Sequence, residues 1–246
     1  MIILNEVDYV RQIIETKERP PKMAMKRLIV YLCKYYYNKT SFKDAKEFQR
    51  FILDLLLEFH FNEAEYEEYR FNNYVYTICK KLLSGELSGF LRDIKEIIIT
   101  KSETEIIRSC ETDRQKKLLF TLYVLAKTYN NPTGWIGYSD NDIFSLANLQ
   151  ATAKEKVLLI KELIDLGLVQ YNHVIDKNSY KVELDEDLTN VELIITDFTN
   201  IGNQWVIHED NTKMICERCG RIVQRRGKKH KYCRRCYHDL DVKHAF

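Results

Sequence analysis

Two close cysteine pairs near the C-terminus, Cys216-Glu217-Arg218-Cys219 and Cys233-Arg234-Arg235-Cys236, restrict the fold of this chain more than any other feature. A Cys-x-x-Cys turn brings two thiolates to one point, and two such turns complete a tetrahedral four-sulfur shell for zinc. Gly220, directly after the first pair, supplies the permissive backbone that such a knuckle wants. With all four ligands drawn from protein, no position stays open for a substrate, so the expected ion is one structural Zn2+. The competing reading is a pair of disulfides, but paired CxxC steps at this separation are the more specific signature of a metal site. The segment 213–246 is also too short to build a core without such a staple.

Charge is distributed as unevenly as cysteine. The 246 residues carry a net +2. From Lys213 onward, eleven Lys and Arg face three acids (Glu217, Asp239, Asp241), giving +8; the remaining 27 bases and 33 acids leave −6 before Lys213. Four thiolates on a dication lower the tail to roughly +6, still a strong attractor for phosphate. The tail is the electrostatic handle and the body is mildly acidic.

The three other cysteines, Cys33, Cys79 and Cys110, fall at interior positions of helical patterns, as reduced thiols of a cytosolic protein do. No basic stretch followed by an apolar core opens the chain, and nowhere do ~18 apolar residues run together, so a soluble cytoplasmic protein without membrane contact is expected.

Before Thr112 the periodicity predicts helices. Pro20 and Pro21 separate a stretch bearing Val7, Val10, Ile13 and Ile14 from a second carrying Leu28, Leu32 and Tyr35. Ser41 with Asp44 reads as a capping box for a helix with Phe48, Ile52, Leu55 and Leu56 on one face. Asn62 reads as the cap of another, through Tyr66, Tyr69, Val75, Ile78 and Leu82 to Gly85. Glu96 to Thr100 reads as a strand, and Ser102 with Glu105 as the cap of a short helix. The acidic run Glu63, Glu65, Glu67 and Glu68 reads as a solvated first turn. Tyr35, Tyr36 and Tyr37 point three ways from a helix and read as packing residues.

The next region has a distinct order: a helix from Arg114 to Asn130 ending at Asn131-Pro132, and a short strand over Gly134 to Gly137. A helix capped by Ser139 or Asp140 follows, then one opened by Thr152 and Glu155 and closed at Gly167. A hairpin of Leu168 to His173 and Ser179 to Leu184 completes it, turning at Asp176-Lys177-Asn178. This order resembles the winged-helix fold. The resemblance makes 152–166 the recognition helix, with Leu163-Ile164-Asp165-Leu166-Gly167-Leu168-Val169 as the passage into the wing. Val191, Leu193 and Ile195 alternate in a further strand expected to extend the wing sheet. Residues 199–211 read as a connector able to dock through Trp205-Val206-Ile207.

In the tail, Met214 to Cys219 and Arg221 to Val223 predict a hairpin around the first knuckle, and Tyr237 to Leu240 starts a helix after the second. This resembles a zinc ribbon or treble clef. The Cys-x-x-Cys-Gly step with Lys231-Tyr232-Cys233, together with Lys117-Leu118-Leu119-Phe120-Thr121-Leu122 and Leu125-Ala126-Lys127, resembles uncharacterised phage and prophage proteins of Gram-positive bacteria. That resemblance implies a mobile-element origin. The expected fold class is mainly α: a helical bundle over 1–111, an α+β winged-helix domain over 112–198, a linker over 199–212 and a four-cysteine zinc module over 213–246.

The best nucleic-acid surface is Arg218, Arg221, Arg225, Arg226, Lys228, Lys229, Lys231, Arg234 and Arg235, held on and between the knuckles. Tyr232 and Tyr237 flank the second knuckle and can stack on unpaired bases. His230, His238 and His244 are additional donors, and four sulfurs make none of them necessary as a ligand. On the recognition helix Lys154 and Lys156 are the candidate contacts, but Lys161 is offset by Glu155, Glu162 and Asp165, and the wing adds only His173, Lys177 and Lys181 beside Asp176. That helix reads equally as a DNA reader and as a docking or dimerisation face.

No catalytic motif is present: neither GxxxxGK[ST], GxGxxG, HExxH nor GxSxG occurs, and His60 near Glu58 and Glu63 reads as structural. The expected function is a mobile-element nucleic-acid-binding protein, regulatory or accessory to replication, with DNA the expected partner ahead of RNA. The alternative is a phage interaction protein that docks on a host defence nuclease complex and inhibits it, as anti-CRISPR proteins do. A host or phage protein, or a second copy of this chain, is the further expected partner.

Overall fold

The computed structural model describes residues 3–20, 23–59, 68–128, 133–174 and 177–243. About half of the chain is helical, with small sheets, and it divides into two compact units, one spanning Ile3–Ile94 and one built on Lys95–Phe246. Among the described residues no helix is long and apolar enough to cross a membrane.

Helices are the regular elements of the first unit among the described residues. Its elements are α1 (Glu6–Thr16), α2 (Met25–Tyr37), α3 (Ala45–Leu57) and α4 (Glu68–Leu83). Apolar residues three and four apart on each helix meet in one core: Leu28, Ile29 and Leu32 from α2, Phe48, Ile52 and Leu56 from α3, and Val75, Cys79 and Leu82 from α4. Cys33 lies in this core, its Sγ 4.0 Å from that of Cys79. Tyr35, Tyr36 and Tyr37 are half-buried against it, as packing residues. The cap of α3 differs from expectation. Asp44, in extended backbone, is itself the N-cap, accepting from the N–H groups of Lys46 and Glu47 at 2.8 and 2.9 Å. Its charged oxygen one step from the helix meets the free N–H groups and the positive dipole end more directly than Ser41 can. The cap expected at Asn62, with His60, Glu63, Glu65, Tyr66 and Glu67, lies outside the described residues.

The second unit runs β1 (Ile97–Thr100), α5 (Lys101–Arg108), α6 (Asp113–Lys127), β2 (Trp135–Ile136), α7 (Asp140–Leu146), α8 (Ala153–Asp165), β3 (Gln170–Val174), β4 (Lys177–Lys181), β5 (Val191–Ile195), α9 (Ile201–Glu209), β6 (Lys213–Ile215), β7 (Ile222–Gln224) and α10 (Arg234–Lys243). Its central element is α6, buried at every position from Leu118 to Ala126. Thr152 and Glu155 form the expected capping box of α8, and Ser139 caps α7 by accepting from Asp142 N–H. The β3–β4 hairpin takes up β2 on its β4 edge, giving the sheet order β2-β4-β3. The helix end expected at Asn130-Asn131-Pro132 and the Asp176 turn position lie outside the described residues, whereas Lys177 and Asn178, expected in the same turn, are the first residues of β4, opposite Val174 and His173.

Three further expectations are corrected in this unit. The box of α5 is Thr100 with Glu103, rather than Ser102 with Glu105. Glu103 wins because its carboxylate also reaches the Lys127 ammonium, 2.8 Å away. The strand β5, expected to extend the sheet of the β3–β4 hairpin, does not join it; it pairs antiparallel with β1, with Ile97 opposite Ile195, Ile98 opposite Ile194 and Ile99 opposite Leu193. Three successive isoleucines offer β5 branched cross-strand partners at each position. Finally, most of the expected linker is helix α9. Ile201 and Trp205 are four apart and so share a face, which is buried on α6 with the Trp205 ring 5.5 Å from that of Phe120. Arg108 fastens the outer side of α9, donating to Glu209 at 3.0 Å while also reaching Glu192 at 3.1 Å.

The approach of α9 to α7 is close enough to exclude a side chain. A Cβ on Gly202 would lie 2.1 Å from the Ala147 carbonyl oxygen, which is backbone and cannot swing away. Gly202→Ala is therefore expected to destabilise the second unit by about 1–3 kcal/mol in thermal melts, through displacement of α9. Gly137→Ala, with nothing within 4 Å of the new Cβ, should stay within about 0.5 kcal/mol. Equal losses in the two variants would mean that α9 is free to shift.

Candidate metal centre

The β6–β7 hairpin, paired Met214 opposite Val223 and Ile215 opposite Ile222, brings its two ends together at the first knuckle. Cys216 N–H donates to Arg221 O at 2.8 Å and Gly220 N–H to Cys216 O at 2.9 Å, closing the turn. Gly220 takes φ +67°, the left-handed region that favours glycine, and a Cβ there would also require the Asn200 side chain to turn aside. The second knuckle is the start of α10, three residues earlier than the Tyr237 start read from sequence. Glu217 N–H donates to Lys231 O at 3.0 Å and ties one knuckle to the other.

These turns draw Cys216, Cys219, Cys233 and Cys236 into one cluster, with all four Sγ atoms within 4.8 Å of one another. Cys219 and Cys233 Sγ are 3.7 Å apart. Cys233 N–H donates to Cys216 Sγ at 3.2 Å and Cys236 N–H to Cys233 Sγ at 3.5 Å, the donors a thiolate shell needs. Burial pushes the Cys216 thiol up, yet the N–H groups of Cys233, Cys219 and Arg218 outweigh it and bring the group down to about 6. The Cys236 N–H lowers Cys233, whereas burial and the neighbouring thiols push Cys236 up to about 12. Four thiols this close cannot all ionise without a cation among them. The set can hold one metal ion, and three of the four cysteines are buried, Cys219 alone being exposed.

No family model, curated protein or solved structure matches this chain. The chemistry of its own side chains carries the functional reading.

The structure sorts the basic residues around the centre. Arg218 donates to Cys236 O at 3.3 Å and lies 3.7 Å from Asp239, and Lys231 lies 3.7 Å from Glu217, so both are engaged within the module. Arg221, Arg225, Arg226, Lys228, Lys229, Arg234 and Arg235 are exposed, with no side-chain partner among the described residues. On α8, Lys156 donates to Asn141 Oδ1 at 2.6 Å and lies over the Phe144 ring, whereas Lys154 is exposed, with no side-chain partner among the described residues. His230 braces the loop between the knuckles, its Nδ1 accepting from Arg226 N–H at 3.2 Å. His244 lies outside the described residues.

A polar joint seats the first knuckle on the rest of its unit. The Lys117 ammonium donates to Asn203 Oδ1 at 2.8 Å, and Asn203 Nδ2 donates to Gly220 O at 2.8 Å. Burial lowers the Lys117 pKa. The joint connects α6, α9 and the knuckle in one line, and it borders an open groove of about 650 Å³ between the α7–α8 turn and the knuckle, in which Lys156 and Arg221 both take part. The sequence marks Gly220 by its place after the first cysteine pair but gives no sign that Asn203 joins it to Lys117. The available signal is Lys117 itself, a charge directly before the buried run Leu118 to Ala126.

Proposed function

We propose that this protein binds nucleic acid, gripping phosphates with the exposed basic face of a zinc-stapled C-terminal module. The single observation that carries the reading is that seven exposed side chains of this module, Arg221, Arg225, Arg226, Lys228, Lys229, Arg234 and Arg235, have no acidic partner among the described residues and stand on a scaffold shaped by four converging thiols. Such a face releases counterions on meeting a polyanion. Zinc is the metal the donors favour. Its bonds to sulfur are about 2.3 Å, so a tetrahedron of them has edges of about 3.8 Å. The 3.7 Å between Cys219 and Cys233 is of that length. The order α6, β2, α7, α8, β3, β4, with a β2-β4-β3 sheet, supports a winged helix beside the module, and Lys156 of α8 shares a groove with Arg221 of the first knuckle. A regulatory or replication-accessory role fits a protein of this layout, with one structural zinc ion as its cofactor.

A second reading has an observation of its own. The outer face of α8 exposes Val157 at 61 % and Leu158 at 48 %, an apolar pair better suited to a protein surface than to the edges of bases. In that reading α8 docks on a partner protein or a second copy, and the protein acts as an inhibitor of a larger complex.

Charge reversal separates the two. Replacing Arg225, Arg226, Lys228 and Lys229 with Glu should reduce the slope of log affinity against log salt by about 3 to 4 and abolish DNA binding at moderate ionic strength. Failure of the zinc-loaded wild type to bind any DNA or RNA at low salt would sink the reading. A stoichiometric protein partner that stays bound to the charge-reversed variant would favour the second.

A further inference from the structure

An open cleft of about 510 Å³ lies between β7, the loop over 225–231 and the first turn of α10. Its lining divides into two chemistries. Val223, Tyr232 and Tyr237 supply apolar surface, whereas Arg226, Lys229, Lys231 and Arg234 supply four cations, and among the described residues no acid lines it. Tyr232 is half-buried and packs with Val223 against the cysteine cluster, so the scaffold that fixes the thiols also fixes this ring. Tyr237 is 56 % exposed, an unusual position for a large aromatic amid so many charges. His230 holds the intervening loop in place through Arg226 N–H.

A grip on duplex phosphates needs the cations alone. The bases of a duplex are stacked on each other and leave no face for a tyrosine. A cleft with aromatic rings inside and cations around it fits a ligand that is flat and apolar in one part and anionic in the parts beside it. We propose that this cleft takes an unpaired nucleobase with its flanking phosphates, so that single-stranded nucleic acid is the preferred ligand of the zinc module. This rests on the nucleic-acid reading above and narrows it. Tyr237 stacks on the base, Tyr232 forms the fixed wall, and Arg226, Lys229 and Arg234 meet the backbone, with Lys231 released from Glu217 to join them.

The test uses the full-length zinc-loaded protein and fluorescence anisotropy, with a labelled single strand of about 20 nucleotides and its blunt duplex at one salt concentration. The single strand is expected to bind more tightly. Tyr237→Ala should weaken single-strand binding by about tenfold or more without changing the salt slope, while Tyr237→Phe stays near wild type and duplex binding is unaffected by either. Tyr237 is exposed, so neither variant threatens the fold. Duplex binding equal to or tighter than single-strand binding, or a Tyr237→Ala variant indistinguishable from wild type, would overturn the base cleft while leaving phosphate binding intact. Displacement of the single strand by an equally charged polyglutamate peptide at the same concentration would also overturn it, since the cleft would then recognise charge alone. Absence of binding to either nucleic acid would instead remove the nucleic-acid reading itself, and the cleft with it.

Discussion

Lys127→Met is expected to destabilise the second unit by about 3–5 kcal/mol, on the order of 10 °C in the melting of that unit. The Lys127 ammonium lies 2.8 Å from Glu103 Oε2, with side-chain exposures of 11 % and 1 %, and it also donates to Ile98 O at 2.9 Å. Glu103 has further duties. Its Oε2 accepts from Thr100 N–H at 3.0 Å to close the α5 capping box, and its Oε1 accepts from Asp185 N–H at 3.2 Å. One carboxylate thus joins the start of α5, the end of α6 and the chain beyond the hairpin. Methionine preserves the length of Lys127 and removes its charge, leaving a carboxylate buried without a cation and the Ile98 carbonyl without its donor. The double variant Lys127→Met with Glu103→Gln should recover much of the loss, because glutamine keeps an acceptor for the cap and buries no charge. Thermal melts of the two single variants and the double measure the coupling directly. A loss below about 1 kcal/mol for Lys127→Met would show that the pair behaves as a solvated surface contact.

How much of this was legible in the sequence depended on how local each choice was. The Thr152–Glu155 box, the stop at Gly167 and the two cysteine knuckles are set within a few residues of chain, and each took the form expected of it. Thr100–Glu103 and Ser102–Glu105 are equally good boxes on local grounds. What decides between them is Lys127, at the far end of α6, which only the folded chain brings to Glu103. The pairing of β5 has the same character, since its partner β1 lies on the other side of several intervening elements. Helix α9 was hidden for a different reason. Two apolar residues at the right spacing, Ile201 and Trp205, are too few to outweigh the Gly and Asn around them until α6 offers a surface to bury them on. At the metal centre the ligands were legible and the joint was not. A lysine, an asparagine and a carbonyl in line, Lys117 to Asn203 to Gly220, leave no periodic trace.

Cys216→Ser or Cys233→Ser should yield a protein that carries no zinc after purification, and whose C-terminal module from Lys213 onward is cut readily by protease. The argument is one of burial. Among the described residues, the apolar cluster around the centre consists of Cys216, Cys233 and Cys236 themselves, with Val223 and Tyr232 packed against them, and Met214 is the module's other buried apolar residue. Without a metal at the four sulfurs, these few residues offer too little apolar surface to hold two short strands and a helix together. Cys233 is doubly placed, since its N–H also serves Cys216 Sγ while its own sulfur accepts from Cys236 N–H. The damage should also reach into the body of the unit, because Asn203 loses the Gly220 carbonyl to which it donates and the first knuckle no longer seats on α9. The first unit has a core of its own, drawn from α1 to α4 without any member of the cluster, and should keep its helical signal and resist the same protease. Cys110→Ser is the matched control: this thiol is buried away from the four, so zinc should remain at one per chain. Metal content by mass spectrometry decides the case, and a Cys216→Ser or Cys233→Ser protein that retains one tightly held zinc would show that the four sulfurs are not its shell.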